Sequence, residues 1–481
     1  MILWNKHFDD YLRDESRRVG TADSISFPTS EAEVINAVKG AENITTQGAR
    51  TGIVAGAVPQ GGHVINLSRM NAIGDVSDEH RLTVQPGAIL SDIRKVAEKA
   101  GLFFPPDPTE TSCSIGGMVA SNASGALTFH YGPTRDWVRA LHIVLSDGGT
   151  IRLKRGENRA SGRSFSIKAE SGRTIAGQLP SYSMPDVKSA AGYFVADDMD
   201  MIDLFIGMEG TLGIITEIEI ALIPKPIAIH GLTVFLPSEE SALKLVRFLR
   251  TECNPVAIEF FNHDALNLLR NAKDSFTGIP ALQDHFHNAI YTEFHGESDE
   301  ELETAVMHAV EAATELGGSE DDTWYATTDR ELEPLKAFRH ATPEAVNLLI
   351  DERKRTHPNL TKLGTDMSVP DERMEEVMAM YRSGLDEAGL ESVLFGHIGN
   401  NHVHVNILPH DMEEYEKGKA LYLSWARKVI TLGGSVSAEH GIGKLKAPFL
   451  TIMCGEPGIA EMRALKQLFD PGMVLNPGNL F

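Results

Sequence analysis

The sequence predicts an α+β protein built from more than one domain, and three observations support this prediction. The chain has 481 residues, which exceeds the usual size of a single hydrophobic core. Its first half is rich in glycine and short apolar runs, whereas its second half alternates amphipathic helix patterns with strand patterns. The segment Pro224-Lys225-Pro226 lies between the halves, and each proline biases the preceding residue away from helix. We therefore expect a domain boundary after residue 225.

The first half is predicted to combine short strands with two helices. Residues 31–39 and 89–100 place apolar side chains at helical spacing, and Gly101 ends the second helix. The turn signal Asp147-Gly148-Gly149 joins two alternating segments and predicts a β-hairpin. The strand patterns of this half lie at residues 43–46, 63–67, 81–85, 139–146, 150–153 and 214–222.

The second half is predicted to contain longer helices alternating with strands. Ser298 can cap a helix over residues 299–316, whose first turn is acidic. Such alternation, with no internal repeat, is typical of an α+β domain. The other helix patterns lie at residues 238–251 and 372–388, and the strand patterns at residues 232–235 and 289–294.

Charge and composition exclude several classes of function. The chain has 44 Lys and Arg against 67 Asp and Glu, a formal charge of −23. Because like charges repel, we expect no nucleic-acid partner and no attraction to an anionic bilayer. Three distant cysteines fit a reducing compartment, and neither a signal peptide nor a run of 18 apolar residues is present. We therefore expect a cytoplasmic protein without a transmembrane segment, and peripheral docking at the inner membrane stays open.

Three glycine-rich segments lie in the first half, at residues 47–59, 105–125 and 207–213. Closely spaced glycines let backbone N–H groups approach an anion, because no Cβ blocks them. Three such segments in one domain suggest a long ligand with a diphosphate, although each alone can equally be a tight turn. None has the G-x-G-x-x-G spacing of a Rossmann site or the lysine of a P-loop.

Histidines cluster between residues 394 and 408 of the second half. In a strand, His402, His404 and Asn406 would lie on one face. The turn signal at residues 399–401 then folds His397 back beside them. A hairpin can therefore bring two imidazoles within reach of one metal ion.

A second polar segment adds a carboxylate beside another imidazole, at Glu439 and His440. Two histidines and one glutamate, with coordination positions left open, are the layout of a catalytic divalent-metal site. A lone strand histidine more often serves packing or a hydrogen bond. The metal hypothesis therefore depends on the whole set of residues.

Together these motifs resemble a known family. The glycine-rich segments occur in the order found in FAD proteins of the vanillyl-alcohol oxidase and p-cresol methylhydroxylase type. The histidine segments and residues 469–478 resemble motifs of the FAD-linked D-2-hydroxy-acid dehydrogenases, which include D-lactate, D-2-hydroxyglutarate and glycolate dehydrogenases. The resemblance implies a two-part FAD-binding domain over residues 1–225 and a substrate (cap) domain with an antiparallel sheet over residues 226–430. Residues 431–481 are then expected to pack back on the FAD domain.

The resemblance implies bound FAD. No histidine lies within residues 47–57, so we expect the FAD to be non-covalent. Gln47 stands where the family usually has an arginine, with Arg50 nearby, so the diphosphate contacts are expected to differ. The expected FAD contacts are Gly48, Ala49, Arg50, Thr51, Gly52, Gly56, Ala57, Pro108, Ser112, Gly116, Gly117, Ala120, Asn122, Gly125, Glu209, Gly213, Ile214 and Asn476.

The resemblance also implies roles for the histidine segments. His397, His404 and Glu439 fall on metal-ligand positions, with zinc or manganese as the expected ion. His440 falls on the position of the base, and Asn406 on a substrate-contacting position. The family commonly has Asp-Gly-Asn where this chain has residues 400–402, which leaves the shape of the local turn open.

Two further residues have weaker support. Arg339 aligns with a family arginine that grips the substrate carboxylate, where a planar guanidinium fits well. Asp366 precedes a recurrent family segment at residues 367–370. For each of them, a surface ion pair is an equally good interpretation.

The implied reaction is oxidation of a D-2-hydroxy acid to the 2-oxo acid, with hydride transfer to flavin N5. No haem or iron–sulfur motif is present, so a quinone, an electron-transfer protein or dioxygen is the expected electron acceptor. Two alternatives stay open: an alkyl-dihydroxyacetone-phosphate synthase-like flavoenzyme, and a flavin-carrying subunit of a glycolate oxidase-type complex. A homodimer stays open as well.

Overall fold

The N-terminal part of the molecule contains the glycine-rich segments, two larger sheets and two two-stranded sheets. The structure, a computed structural model, describes residues 1–481. The strands of this part are β1 (Ile2–Leu3), β2 (Ser24–Ser26), β3 (Ile44–Gln47), β4 (His63–Asn66), β5 (Ile73–Val76), β6 (Arg81–Val84), β7 (Leu102–Phe103), β8 (Val138–Val144), β9 (Thr150–Lys154), β10 (Ser164–Lys168), β11 (Thr174–Gln178), β12 (Ile214–Ala221) and β13 (Ile223–Pro224). A four-stranded sheet has the order β1-β2-β4-β3, and a five-stranded antiparallel sheet has the order β5-β6-β12-β8-β9.

Local sequence accounts for the elements predicted in this part. Ser30 caps the first helix by accepting a hydrogen bond from the amide of Glu33. The turn after residue 146 joins β8 and β9 into the predicted hairpin, with Leu141 opposite Leu153. All the predicted strands and helices are confirmed to within two residues at each end. The helices of this part are α1 (Glu31–Val38), α2 (Leu90–Lys99), α3 (Ile115–Ser121) and α4 (Thr128–Tyr131).

The second part is built on one antiparallel sheet, as expected. Its strands are β14 (Ala228–Leu236), β15 (Ala257–Phe261), β16 (Asn288–Gly296), β17 (Trp324–Ala326), β18 (Leu363–Gly364), β19 (Ser392–Gly396) and β20 (His404–Ile407). The seven strands have the order β17-β14-β16-β15-β19-β20-β18, and every neighbouring pair is antiparallel. Strands β19 and β20 form the predicted histidine hairpin.

Seven helices follow in the second half of the chain, and the last of them packs against β11 of the N-terminal part. They are α5 (Glu239–Phe248), α6 (His263–Asn271), α7 (Asp299–Glu315), α8 (Asp329–Arg353), α9 (Met374–Ala388), α10 (Met412–Thr431) and α11 (Ala447–Phe469). Ser298 caps α7 through the amide of Glu301, as predicted. Helix α11 is kinked at Gly455, where φ is 68°. No helix in the structure combines the length and the apolar composition needed to cross a membrane.

The C-terminal segment returns to the N-terminal part. Leu475 forms a parallel β-bridge with Ile44, and the side-chain oxygen of Asn476 accepts a hydrogen bond from the amide of Thr46 at 2.8 Å. The largest cluster of buried apolar side chains extends from Leu82 to residues of the second sheet and on to the C-terminus. The predicted α+β architecture with a returning C-terminal segment is thus confirmed.

Candidate active site

The first two glycine-rich segments touch each other at Gly48 and Ser114. A Cβ at Gly48 would lie 2.1 Å from Oγ of Ser114, so only glycine fits this contact. The same Oγ accepts a hydrogen bond from the amide of Ala49 at 3.3 Å. The amides of residues 50–56 donate to no backbone carbonyl, and a Cβ at Gly52 would meet no atom within 4 Å. This open run of N–H groups fits the diphosphate of FAD.

The third glycine-rich segment joins the second through the backbone. The amide of Gly207 donates to the carbonyl of Val119 at 2.9 Å, and the amide of Glu209 donates to the carbonyl of Ala120 at 2.8 Å. The structure therefore brings together all three segments that the sequence singled out. Their convergence is what a ligand touched at several points requires.

Glu209 and Asn476 tie these segments to the C-terminal part. The carboxylate of Glu209 accepts hydrogen bonds from the amides of Ile442 at 2.6 Å and Gly443 at 2.7 Å. Burial raises the pKa of Glu209 to about 7, against the lowering effect of these two amides. The amide group of Asn476 donates to the Glu209 carbonyl at 2.8 Å. Both side chains therefore position the loops, and their direct contact with FAD stays a prediction.

Close packing explains three of the predicted glycines. A Cβ at Gly125 would lie 1.6 Å from the carbonyl oxygen of Asp107, and one at Gly213 would lie 2.4 Å from Cγ2 of Ile143. A Cβ at Gly116 would lie 2.6 Å from Cβ of Pro86. The other predicted FAD contacts lie in the same three segments or directly after the third: Thr51, Gly56, Ala57, Pro108, Ser112, Gly117, Ala120, Asn122 and Ile214.

Gln47 and Arg50 have different surroundings, although both lie in the first segment. The side chain of Gln47 is buried and donates to the carbonyls of Tyr11 at 2.7 Å and Ala57 at 2.8 Å. The guanidinium of Arg50 lies 4.3 Å from the centre of the Tyr11 ring. Gln47 therefore fixes the loop from inside, and the effect of this residue on diphosphate contacts stays a prediction.

The histidine hairpin differs from the prediction at its turn. Strand β20 begins at His404, two residues later than expected, because residues 398–400 form a 3₁₀ turn and Asn401 has a φ of 51°. His402 therefore lies in the turn and not in the strand. Its side chain is nevertheless buried beside the other histidines, 4.3 Å from the His404 ring between ring centres.

Glu439 lies at the centre of the imidazoles. Its Oε2 is 3.2 Å from Nε2 of His397, and its Oε1 is 3.3 Å from Nε2 of His404. Nδ1 of His397 lies 2.6 Å from the Glu259 carboxylate, and Nδ1 of His404 lies 2.9 Å from the carbonyl oxygen of Thr365. With Nδ1 engaged in this way, Nε2 is the nitrogen that each ring turns towards Glu439, and a deprotonated Nε2 can offer its lone pair to a divalent ion.

The surrounding charges shift the pKa values of this group. Burial alone would lower the pKa of His397, but the carboxylates of Glu259 and Glu439 raise it to about 9. Burial also opposes ionisation of Glu439, but Lys188 and His397 hold its pKa well below the usual range. Glu439 is therefore an anion, and a divalent ion held here would have to displace the proton of His397.

Lys188 is a member of the site that sequence reasoning missed. Its ammonium lies 2.7 Å from Oε2 of Glu439 and 3.3 Å from Nδ1 of His402. It lies 251 residues before Glu439 in the chain, in the segment Lys188-Ser189-Ala190-Ala191-Gly192. A lysine followed by small residues is the only local signal, and no motif connects it with the histidines.

Asp366 organises the loop that carries Glu439 and His440. Its buried carboxylate lies 3.2 Å from Nδ1 of His440, 3.0 Å from Nε2 of His402 and 2.7 Å from Nζ of Lys446. It also accepts hydrogen bonds from the backbone amides of residues 438–440. Although burial opposes ionisation, His440 and Lys446 hold the pKa of Asp366 well below its usual range. Asp366 thus acts through His440 and is not a surface residue.

Nε2 of His440 lies 3.4 Å from Oε1 of Glu439. The His440 side chain is partly exposed, whereas Glu439 is nearly buried. The imidazole predicted as the base therefore lies directly beside the predicted metal ligands. This arrangement allows it to take a proton from a group held at the same centre.

Arg339 and Asn406 lie on different elements, helix α8 and strand β20. Arg339, on α8, is buried and pairs with Asp107 of the N-terminal part at 3.3 Å. Although burial opposes ionisation, Arg339 and Arg94 hold the pKa of Asp107 far below its usual range. Asn406 is buried in β20, opposite Val393 and Gly364. The structure does not bring Arg339 into contact with the histidines.

Comparison with known proteins agrees with this geometry. Residues 22–154 match the model of an FAD binding domain, and residues 225–480 match the C-terminal domain of FAD linked oxidases. A D-lactate dehydrogenase of Anaerostipes hadrus is 32% identical over 98% of this chain and 92% of its own length. A D-2-hydroxyglutarate dehydrogenase of Xanthomonas citri pv. viticola is 31% identical over 98% and 92%.

A solved structure supports the fold. An alkyldihydroxyacetonephosphate synthase superposes with a TM-score of 0.62 at 18% identity, covering 94% of this chain and 76% of that one. At that identity the likeness concerns the fold alone. The two matched domains together span most of the chain, and they include the first two glycine-rich segments and the returning C-terminal segment. The chain therefore belongs to the FAD-linked oxidases, a family of flavin-dependent oxidoreductases.

Proposed function

We propose that this chain is an FAD- and divalent-metal-dependent dehydrogenase that oxidises a D-2-hydroxy acid to the 2-oxo acid. The observation that carries the proposal is the contact of His397, His404 and His440 with Glu439, which puts a base beside a ligand set. The relatives named D-lactate and D-2-hydroxyglutarate dehydrogenases support this substrate class. D-lactate and D-2-hydroxyglutarate are the expected substrates.

The proposal assigns a task to each part of the chain. Residues 1–225 hold the FAD, residues 226–430 carry the histidine hairpin, and residues 431–481 supply Glu439 and His440 and pack back on the first part. The bridge between Ile44 and Leu475 supports this division. A site assembled from all three segments forms only when the chain is completely folded.

The metal ion would be held by Nε2 of His397, Nε2 of His404 and the Glu439 carboxylate, with zinc or manganese as the expected ion. A divalent ion there supplies a Lewis acid that orients the substrate carboxylate and hydroxyl and lowers the pKa of the hydroxyl. Glu259 and the carbonyl of Thr365 hold the two rings in the orientation that presents Nε2. These contacts support a ligand set that is already in place before binding.

His440 is the proposed base. Asp366 holds Nδ1 of its ring, so Nε2 is the atom that accepts the proton of the substrate hydroxyl. Bound FAD would supply the hydride acceptor for the substrate Cα–H at N5, and a quinone, an electron-transfer protein or dioxygen would take up the two electrons. The substrate thus loses one proton to His440 and one hydride, which leaves the 2-oxo acid.

Arg339 and Asn406 are proposed to position the substrate. A guanidinium can bind a carboxylate through two parallel hydrogen bonds, and that of Arg339 makes one contact with the Asp107 carboxylate at 3.3 Å. For Arg339 to hold substrate, its guanidinium must share its donors between Asp107 and the incoming carboxylate. The Asn406 amide can donate to a substrate oxygen from its place in β20.

The test is anaerobic reduction of the flavin. FAD-loaded, metal-replete protein is mixed with D-lactate, D-2-hydroxyglutarate and related D-acids, with the L-acids as stereochemical controls. The expected result is loss of the flavin absorption with at least one D-acid and formation of one 2-oxo acid per flavin. Retention of the absorption with every D-acid contradicts the proposal and favours the alkyl-transfer alternative or a non-catalytic flavin subunit.

A further inference from the structure

Glu439 is surrounded by more candidate ligands than a catalytic metal centre needs. His397, His402, His404 and Glu439 offer one ligand atom each, all within 4.8 Å of one another. A zinc ion held by four protein ligands is closed and structural, whereas a catalytic site keeps a position for substrate. The role of His402 therefore decides which kind of centre this is.

His402 is completely buried and has both ring nitrogens near charged groups. Its Nε2 lies 3.0 Å from Oδ1 of Asp366, and its Nδ1 lies 3.9 Å from Oε2 of Glu439. The Lys188 ammonium lies closer to Nδ1 of His402 than Glu439 does, at 3.3 Å. An ammonium has only donors, so Nδ1 faces it with a lone pair, and the ring proton lies on Nε2 beside Asp366.

Lys188 is held firmly in this position. Its side chain is only 4% exposed, and its carbonyl accepts a hydrogen bond from Oγ of Ser368 at 2.5 Å. The next two residues are anchored as well. Oγ of Ser189 lies 2.9 Å from Oγ of Ser435, and the amide of Ala190 donates to the carbonyl of Ser437 at 2.8 Å. The ammonium is therefore a fixed part of the site.

We propose that Lys188 keeps His402 out of the metal's coordination shell. Its ammonium takes the Nδ1 lone pair of His402 and Oε2 of Glu439, which leaves Nε2 of His397, Nε2 of His404 and Oε1 of Glu439 for the ion. The centre is thus limited to three protein ligands, and positions stay open for a hydroxy acid. This inference rests on the metal site of the proposed function.

The inference has a measurable electrostatic consequence. A fixed positive charge beside a divalent ion weakens its binding, and the effect is large in a buried site. Removing the charge without changing the length of the side chain greatly should therefore strengthen metal binding. It should also free His402 to become a fourth ligand.

The test is titration of FAD-loaded protein with Zn²⁺ against a competing chelator, using Lys188→Met and His402→Asn. Lys188→Met is expected to bind Zn²⁺ about tenfold more tightly or better. His402→Asn alone is expected to stay within about threefold of the wild type, because Nδ1 is not a ligand there. Adding His402→Asn to Lys188→Met is expected to reverse part of the gain. In Co²⁺-loaded protein, only Lys188→Met should change the visible ligand-field spectrum.

Two results overturn the inference. One is a tenfold or greater loss of Zn²⁺ affinity in His402→Asn alone, which makes His402 a ligand of the native site. The other is unchanged or weaker Zn²⁺ binding in Lys188→Met and in the second neutral variant, Lys188→Gln, with flavin absorption and thermal stability retained. The variant His404→Ala distinguishes a failure of this inference from a failure of the proposed metal site. If it binds Zn²⁺ like the wild type, the metal site itself is wrong.

Discussion

An oxygen acceptor at Nδ1 orients each of the three histidine rings around Glu439. His397 and His404 each engage Nδ1 with an oxygen acceptor and turn Nε2 towards Glu439. Nδ1 of His440 lies beside the Asp366 carboxylate, and its Nε2 lies beside the Glu439 carboxylate. All three rings are therefore oriented alike, and the proposed base differs from the two proposed ligands in being more exposed.

His404→Ala should remove the metal and leave the flavin. The variant loses one of three ligand atoms, whereas the glycine-rich segments lie in another part of the fold. We expect no stoichiometric divalent ion by mass spectrometry, retained flavin absorption and no reduction by D-acids. His410→Ala is the matched control, because His410 is more than half exposed and contacts only surface carboxylates. Full activity of His404→Ala would make the ligand assignment wrong.

His440→Ala should keep both metal and flavin but lose most turnover. Help from a general base contributes about 10²–10⁴-fold, so we expect a fall of this size in the rate of flavin reduction. The rate is measured by anaerobic stopped flow at saturating D-acid. A variant that reduces its flavin at the wild-type rate would place the base elsewhere.

At the residue scale the sequence predicted most of the side chains of the site but missed its buried lysine, Lys188. His397, His404, Glu439 and His440 come from two short motifs, and the structure brings all four together. Lys188 comes from the other part of the chain, and only tertiary packing places it there. His402 was expected on the strand face, and it reaches the cluster from a turn, because the left-handed Asn401 redirects the chain.

At the scale of elements, two glycines in the loop after β3 have different surroundings and therefore different expected roles. Gly48 is needed for the contact with Ser114, whereas Gly52 has open space where a side chain would lie. The first glycine therefore serves the fold of the apoprotein. The second is expected to serve the approach of the FAD diphosphate to the amides of residues 50–56.

Gly52→Ala should weaken FAD binding without destabilising the apoprotein. The added methyl meets no protein atom in the structure, but it would lie on the surface where the diphosphate is expected. We expect at least a tenfold rise in the FAD dissociation constant, measured by flavin fluorescence, with an unchanged melting temperature of the apoprotein. Gly278→Ala is the control, because its Cβ also meets no atom and lies far from the glycine-rich segments in sequence. Equal FAD affinity in both variants would remove Gly52 from the site.

Helix prediction succeeded where a cap and helical periodicity agree, and in the second part it missed α6, α8 and α10. Ser298 and the acidic first turn identified α7 correctly. Helix α8 was not predicted, although a capping box of Thr328 and Glu331 begins it, because Pro334 and Pro343 suggest breaks within it. Packing of its apolar residues against the sheet keeps the chain helical through both prolines.

For the whole molecule, one buried ion pair connects the two parts near the site. Asp107 of the N-terminal part lies between Arg339 of α8 and Arg94. The two arginines lower the pKa of Asp107 against the effect of burial. A carboxyl group whose folded pKa is depressed adds stability above its unfolded pKa, about 3.9, and this contribution is lost as the pH falls below that value.

Asp107→Asn should therefore destabilise the protein at neutral pH and less so in acid. Removing one partner of a buried pair leaves the arginines uncompensated, and we expect a loss of about 3 kcal/mol at pH 7. The difference from the wild type should shrink as the pH is lowered from 5 towards 3, measured by urea unfolding. Asp92→Asn is the control, since its pair with Lys95 is exposed and is worth about 0–1 kcal/mol. A difference independent of pH would contradict the assignment.

More of the overall architecture than of the contacts between distant segments at the site could be predicted from the sequence. The glycine-rich segments, the antiparallel sheet and the returning C-terminus follow from motifs and alternation. The contact between Arg339 and Asp107 does not, because it joins helix α8 to a loop 232 residues earlier in the chain. Contacts of this kind depend on how two folded parts pack, and local sequence patterns carry no signal for that.

The most direct test of the account is anomalous X-ray diffraction from crystals of the FAD-loaded protein grown with Zn²⁺ or Mn²⁺. We predict one strong anomalous peak at the centre of the histidine hairpin, bonded to Nε2 of His397, Nε2 of His404 and Glu439 at about 2.0–2.2 Å. The peak should face the flavin ring, with His440 beside it and His402 outside bonding distance. A peak at other residues, or an ion shielded from the flavin, would contradict the proposed mechanism.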